Sequence, residues 1–309
     1  MATERLTIPK TPPISWYGGK QRMAHNIVPL IPKHMVYVEP FAGSCAVLFK
    51  KPYPAVTNIE HYGEVINDTN KDLINFFTVL RDNGEALCEK LALTLYSEEE
   101  YRRSKVMEGD DLERARRYYV GVMTAFGNVP HAGWKRGFKD RNYAMTWYNK
   151  VNALPEYIDR MRHVAIACDD ALKVMDQFDS PQTLFYLDPP YINTDQQQYK
   201  GYTREHYEQL LDKMQQMQGA CLLSNYPQPD ITYPDDWLEY RFRAVSAVAG
   251  TNDKVAKKGT ERTECVYYKP RTGKLGVAEQ RVYDSGVLDC FTGELVHKHE
   301  DLPLWRQYA

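Results

Sequence analysis

The chain contains no Cys-x-x-Cys pair. Its six cysteines, Cys45, Cys88, Cys168, Cys221, Cys265 and Cys290, are scattered and mostly embedded in apolar runs. This usage argues against a zinc site or a disulfide framework, and for inert core thiols in a reducing interior. No apolar stretch is long enough to span a membrane, and the opening segment MATERLTIPKTPP has no signal-peptide core. Internal repeats and low-complexity tracts are absent. A net charge of −2 gives no global bias toward a polyanionic partner. The composition that remains, 43% hydrophobic and 26% charged over 309 residues, is that of a globular protein with core enough for one or two domains.

The residues able to do chemistry collect at the ends of apolar runs. Thr183–Tyr191 reads TLFYLDPPY, a buried strand stopped by two prolines. An acid, rigid carbonyls and an aromatic face therefore fall at the carboxyl end of a strand, the edge where open α/β sheets bind ligands. A planar heteroaromatic amine could stack on Tyr191. Its two N–H groups could donate to the Asp188 carboxylate and to the carbonyl of Pro189, which has no N–H of its own. Accepting both hydrogens draws the nitrogen lone pair out of ring conjugation and makes it a better nucleophile. In isolation, a strand followed by an ordinary Pro-Pro turn at Pro189-Pro190 would look the same.

Other runs end in a similar way. ISWYGGK places the flexible pair Gly18-Gly19 between the aromatics Trp16 and Tyr17 and the cation Lys20. MVYVEPF, residues 35–41, predicts a strand. Ala42-Gly43-Ser44 then turns into the apolar helix CAVLFKK, whose N-terminal N–H groups would lie beside the sheet edge. This is not the dinucleotide fingerprint, which needs three glycines. The acid Glu39 before Pro40 and Phe41 suits a cationic or amine-bearing ligand better than a pyrophosphate. EVINDTN, residues 64–70, predicts the second strand. It ends in Asp68, 25 residues after Gly43, an offset suited either to ribose hydroxyls or to capping the next helix. Residues 162–170 predict a third strand ending in Asp169, and GACLLSNY, residues 219–226, another buried one. Residues 238–247 and 264–270 alternate like a closing antiparallel pair. The fold expected is α/β: a doubly wound, mostly parallel sheet with an antiparallel closing hairpin.

Residues 71–125 predict helices. GNVPHAGWKRGFKDRN, residues 127–142, has another texture, rich in glycine, basic and aromatic residues. Lys135, Arg136, Lys139 and Arg141 suit phosphates or guanine edges, Asn128 an adenine, and Trp134 or Phe138 a stacking wedge. Residues 101–163 carry 13 Lys/Arg against 7 Asp/Glu. A second basic island, with Lys257 and Lys258, lies in residues 254–274. Two such islands fit localised phosphate contact. Residues 271–309 carry hairpin-like pieces without a functional signal.

Taken in order, WYGGK, EPFAGS, Asp68, Asp169 and DPPY make the chain similar to the Dam-type (class D12) DNA adenine-N6 methyltransferases of bacteria and phages, over about residues 12–270. The resemblance implies a Rossmann-like methyltransferase domain of residues 1–75 and 160–270. It implies an inserted, mainly helical target-recognition domain over residues 76–159. S-adenosyl-L-methionine (AdoMet) would be held by Trp16–Lys20 and Glu39–Ser44, with Asp68 on its ribose, Asp169 near its adenine and Asp188 alongside. Asp188–Tyr191 would hold a target adenine flipped out of duplex DNA. No metal is required, and a monomer or weak dimer in a microbial cytoplasm is expected. The segment 127–142 shares little with GATC-reading enzymes, so no target sequence follows. Cytosine-C5 chemistry would need a nucleophilic cysteine, usually after proline, and the chain has no Pro-Cys. Three alternatives remain: methylation of cytosine N4, of RNA or of a protein side chain, and a silent DNA-binding protein of the same fold.

Overall fold

The computed structural model describes residues 11–52, 62–130, 132–136, 141–192, 201–245 and 261–272. The strands are β1 Val36–Glu39, β2 Gly63–Asn67, β3 Val164–Ala167, β4 Thr183–Leu187, β5 Ala220–Asn225, β6 Leu238–Val245 and β7 Glu261–Lys269. The helices are α1 Ala24–Ile27, α2 Ala46–Lys50, α3 Lys71–Asp82, α4 Gly84–Ala92, α5 Glu98–Arg103, α6 Asp111–Met123, α7 Tyr143–Asn152, α8 Pro155–Arg162, α9 Ala171–Phe178 and α10 Arg204–Gln216. The seven strands form one sheet in the order β3-β2-β1-β4-β5-β7-β6. β4 runs parallel to β1 and β5, β2 parallel to β3, and β7 antiparallel to both β5 and β6. This is the mostly parallel sheet with an antiparallel closing hairpin that the apolar runs predict.

Two compact units divide the chain. The first holds Met1–Ala24, Ala42–Ala55 and Gly63–Ala171; the second holds His25–Phe41, Val56–Tyr62 and Leu172–Ala309. In the first unit, Asn70 starts α3 by accepting the N–H groups of Asp72 and Leu73 on its side-chain oxygen. Phe76 of α3 stacks on Tyr119 of α6 at 5.5 Å, and Tyr119 meets Trp147 of α7 at 5.7 Å. A buried ionic cluster ties three elements together. Glu64 of β2 pairs with Lys51 at 2.9 Å and with Arg160 of α8. Burial works against the Glu64 charge, but Arg160 and Lys51 outweigh it and hold the carboxyl down at about 2.

In the second unit, β4 and β5 are buried at every residue. Burial on both faces is why TLFYL and ACLLSN are continuous apolar runs rather than alternating ones. α10 opens with a capping box between Thr203 and His206 and buries Tyr207, Leu210, Leu211 and Met214. Lys269, at the end of β7, donates to the carbonyls of Met217 and Gly219.

Two expectations are modified. Cys45, Cys221 and Cys265 are core thiols as expected, but Cys168 is exposed because it follows β3, the last strand of the sheet; Cys290 lies outside the described residues. The helix after the glycine turn is only five residues long, little more than one turn, so any cradle there is the turn itself. No helix among the described residues is long and apolar enough to cross a membrane.

Candidate active site

Expected site residues fall in both units. In the first unit, the Trp16–Lys20 loop and the Ala42–Ser44 turn lie against each other. A side chain at Gly43 would come within 3.0 Å of Trp16 Cδ1, and one at Gly19 within 3.1 Å of Ser44 Oγ. Gly43 also has φ +47°, so glycine is required there by conformation and by space. Gly18 has φ +75° and nothing within 4 Å of where its side chain would be, so its exposed backbone is open to a ligand. Lys20 is buried, and its Nζ donates to the Gly18 carbonyl at 3.0 Å, bracing the loop. Tyr17 is half-buried beside it.

Asp68 grips the same turn. Its Oδ2 accepts the Gly43 N–H at 3.1 Å and its Oδ1 the Asn70 N–H at 2.9 Å. Burial raises its pKa, and the two N–H bonds oppose the rise. Asn70, not Asp68, is the helix cap. At the end of β2, Asn67 accepts the Asp169 N–H at 2.9 Å and donates to the Asp169 carbonyl at 3.0 Å. This reciprocal pair, which the sequence reading missed, locks the ends of β2 and β3. The Asp169 carboxylate, exposed, accepts the Asp170 N–H at 2.7 Å. Asp68 and Asp169 thus follow the carboxyl ends of neighbouring strands.

In the second unit, β4 carries Asp188 two residues beyond Tyr186, hence on the same face. The hydroxyls of Tyr186 and Ser224 lie 2.9 Å apart and are buried. Glu39 is 1% exposed and accepts the Tyr37 hydroxyl at 2.8 Å. Pro40 is buried, and Phe41 meets Tyr202 edge-on at 6.4 Å. Past Asp188, Pro189 is buried, while Pro190 and Tyr191 are half-buried. The Tyr191 ring meets Tyr226 edge-to-face, with centroids 4.7 Å apart. Burial pushes the Tyr186 and Tyr191 phenols well above the usual range. The charge of Asp188 adds to both shifts, as does that of Glu264, and Glu39 adds to that of Tyr186. Both phenols therefore stay neutral at physiological pH. The strand end is an electronegative place, suited to an amine that gains positive charge as it reacts. Tyr186, Ser224, Tyr226 and Glu264 were missed in the sequence. The available signal was that Ser224 and Tyr226 end the strand next to DPPY.

The recognition stretch is built differently from expectation. The Lys135 N–H donates to the Thr124 carbonyl, the Phe126 N–H donates to the Gly133 carbonyl, and Ala125 bridges Trp134, which closes a small hairpin. Lys135 does not reach outward. Its Nζ donates to the Asn128 side-chain oxygen at 2.5 Å and to the Met123 carbonyl at 3.0 Å. Burial, helped by the charge of Arg141, brings its ammonium down to about 8. Asn128, held at φ +58°, is thus occupied inside the loop, and Trp134 packs on Tyr96 at 5.5 Å. The exposed aromatic of the tip is Phe126, 54% accessible, which the sequence reading passed over. Arg136 and Arg141 are exposed, Arg136 within 3.2 Å of Glu98. Lys139, Phe138, Lys257 and Lys258 lie outside the described residues.

The first basic island is largely neutralised from within the fold. Arg102, Arg103, Arg114, Arg116, Arg160 and Arg162 pair with Glu98, Glu99, Asp72, Glu100, Glu64 and Glu85 respectively, acids that lie before residue 101 in the chain. Counting charge over residues 101–163 alone therefore overstated the positive surface.

Comparison with known proteins identifies the family. The family model of the D12 class N6 adenine-specific DNA methyltransferases matches residues 16–246. The type II methyltransferase M1.LlaDCHI of Lactococcus lactis subsp. cremoris is 26% identical over 271 residues, covering 79% of this chain and 90% of its own. A DNA adenine methylase of Haemophilus influenzae is 23% identical over 217 residues, 63% of this chain and 69% of its own. The retron Ec67 DNA adenine methylase of Escherichia coli is 24% identical over 211 residues, 61% of this chain and 65% of its own. A solved structure, the putative methyltransferase yhhF of Escherichia coli, covers 82% of this chain and 85% of its own at 10% identity, with a TM-score of 0.32, too low to bear on the fold. With most of its length matched by that family model, the chain belongs to the D12 class of N6 adenine-specific DNA methyltransferases.

Proposed function

We propose that the adenine-specific DNA methylation of this family is carried out here with AdoMet as methyl donor, on an adenine extruded from duplex DNA, with Asp188–Tyr191 as the base site. The observation that carries this reading is the placement of Asp188: past a fully buried strand, beside two neutral buried phenols. The donor set of the first unit fits AdoMet. Asp68 and Asp169 follow adjacent strand ends, where carboxylates can take ribose hydroxyls and attract a cation. The open backbone at Gly18 and the Trp16–Gly43 contact offer a flat, close approach. Bound there, AdoMet supplies an electrophilic sulfonium methyl group.

The chain's own residues act on the base. The Asp188 carboxylate and the Pro189 carbonyl accept the two N6 hydrogens. This raises the nucleophilicity of N6 and stabilises the positive charge that develops on it. Tyr191 stacks on the ring and recovers part of the cost of flipping, which is on the order of a few kcal/mol. Fixing the orientation of the base on these residues would supply part of the remaining rate.

The helical segment 76–159 is inferred to read the DNA. Phe126 at the hairpin tip, with Arg136 and Arg141, is its candidate contact set in place of Asn128, Trp134 and Lys135. The test is incubation with labelled AdoMet and DNA lacking methylated adenine, followed by base analysis. N6-methyladenine from the wild type and not from Asp188→Ala is expected. N4-methylcytosine, or an active Asp188→Ala, would overturn the base-site reading.

A further inference from the structure

Tyr226 follows β5 directly, one strand over from the Asp188–Tyr191 segment. The last β4–β5 register pair is Leu187↔Leu223, so the Asp188–Tyr191 segment leaves β4 just past that pair, while Ser224, Asn225 and Tyr226 follow it in the neighbouring strand. Its ring meets that of Tyr191 at 73°, with centroids 4.7 Å apart. This edge-to-face arrangement is the one that the opposed charge distributions of ring edge and ring face favour. Tyr226 is also firmly held. Its main-chain N–H donates to the side-chain oxygen of Asn225 at 2.8 Å. Asn225 is fully buried and in register with Cys265 of β7, while β4 pairs along the other side of β5. The ring therefore hangs from the end of a strand that is paired with β7 up to its last residue and with β4 up to Leu223.

A base stacked on Tyr191 is aligned only as well as the Tyr191 ring itself. Two prolines set the backbone leading to that ring. The rotation and lean of the side chain are limited by what packs perpendicular to it. We propose that Tyr226 is a positioning residue for the methyl transfer: through its edge-to-face contact it fixes the plane of Tyr191, and with it the direction in which N6 of the stacked adenine points. The inference rests on the reading that Asp188–Tyr191 hold the target base. It assigns the role to the ring of Tyr226 and not to its hydroxyl.

The test compares the full-length wild type with Tyr226→Phe, Tyr226→Leu and Asp188→Ala, using radiolabelled AdoMet and DNA lacking methylated adenine. The readouts are kcat, KM for AdoMet, AdoMet binding by calorimetry and thermal midpoint. Misalignment of a stacked base predicts that Tyr226→Leu lowers kcat about ten- to a hundredfold. AdoMet binding and the thermal midpoint should hold, and Tyr226→Phe should stay within about twofold of wild type. The inference is overturned if Tyr226→Leu turns over like the wild type. It is equally overturned if Tyr226→Phe loses as much as Tyr226→Leu, or if the loss tracks a lowered thermal midpoint or weakened AdoMet binding. Wild type making no N6-methyladenine, or Asp188→Ala making it, instead sinks the base-site reading and takes the inference with it.

Discussion

The glycine loops around Trp16 and Gly43 and the Thr124–Lys135 hairpin draw on the same residue types, and they use them differently. In the first, tryptophan covers a glycine turn, an aspartate grips that turn, and the backbone at Gly18 stays exposed. In the second, lysine and asparagine bond to each other and tryptophan packs on Tyr96. The difference is that the Gly43 turn takes its shape from a strand end, through Asp68, and spends few side chains on itself. The hairpin has no strand to hang from and consumes its polar side chains in closing. Composition is thus a poor guide to outward contact in a self-supporting loop, where the polar side chains are used up by the loop itself.

Asp188→Ala is expected to reduce N6-methyladenine formation by about 10²–10³-fold or more, since it removes the acceptor facing the developing charge. Calorimetry should find AdoMet binding largely kept.

Next in size is the buried cluster under the first unit. Glu64→Gln leaves Lys51 and Arg160 charged without their partner, and should cost about 3–5 kcal/mol in urea denaturation. The folded pKa of Glu64, about 2, lies below its unfolded value, so its contribution is complete above the unfolded pKa. It is lost as pH falls through the folded one. Wild-type stability should fall steeply between about pH 4.5 and pH 2 on account of this group, by roughly 3 kcal/mol, and the Gln variant should lack that component.

Gly43→Ala strains the glycine turn. A side chain there meets Trp16 at 3.0 Å and a backbone at φ +47°, so about 1–2 kcal/mol of strain should appear as roughly tenfold weaker AdoMet binding. Unchanged affinity would remove this turn from the donor site.

The smallest effects separate the structural cation of the hairpin, Lys135, from the proposed DNA-facing cations beyond it, Arg136 and Arg141. Lys135→Ala should lower stability by about 1–2 kcal/mol and leave the salt dependence of DNA binding unchanged. Arg136→Ala or Arg141→Ala should leave the thermal midpoint alone and reduce the salt slope by about 1. The reverse pattern would restore Lys135 as a phosphate contact.

What the sequence made legible follows the same division. TLFYL and ACLLSN announce central strands because burial on both faces leaves no polar position. Asp188 and Asp68 could be placed because a strand end fixes the next residue in space. The shortness of α2 was not legible, since the apolar run CAVLFKK satisfies its packing without being helical throughout. Nor were long-range pairs. Glu64 finds Lys51 13 residues away and Arg160 far beyond, and no local pattern marks such partners. Tyr226 could be placed only at the end of an apolar run, since its contact with Tyr191 exists only once β4 and β5 are in register.

The most direct test of the account is the identity of the base modified. Wild-type protein, labelled AdoMet and DNA free of methylated adenine should yield N6-methyladenine, and Asp188→Ala should yield none. Label in cytosine, or label in adenine that survives the loss of Asp188, would contradict the assignment of the strand-end carboxylate to the reacting amine.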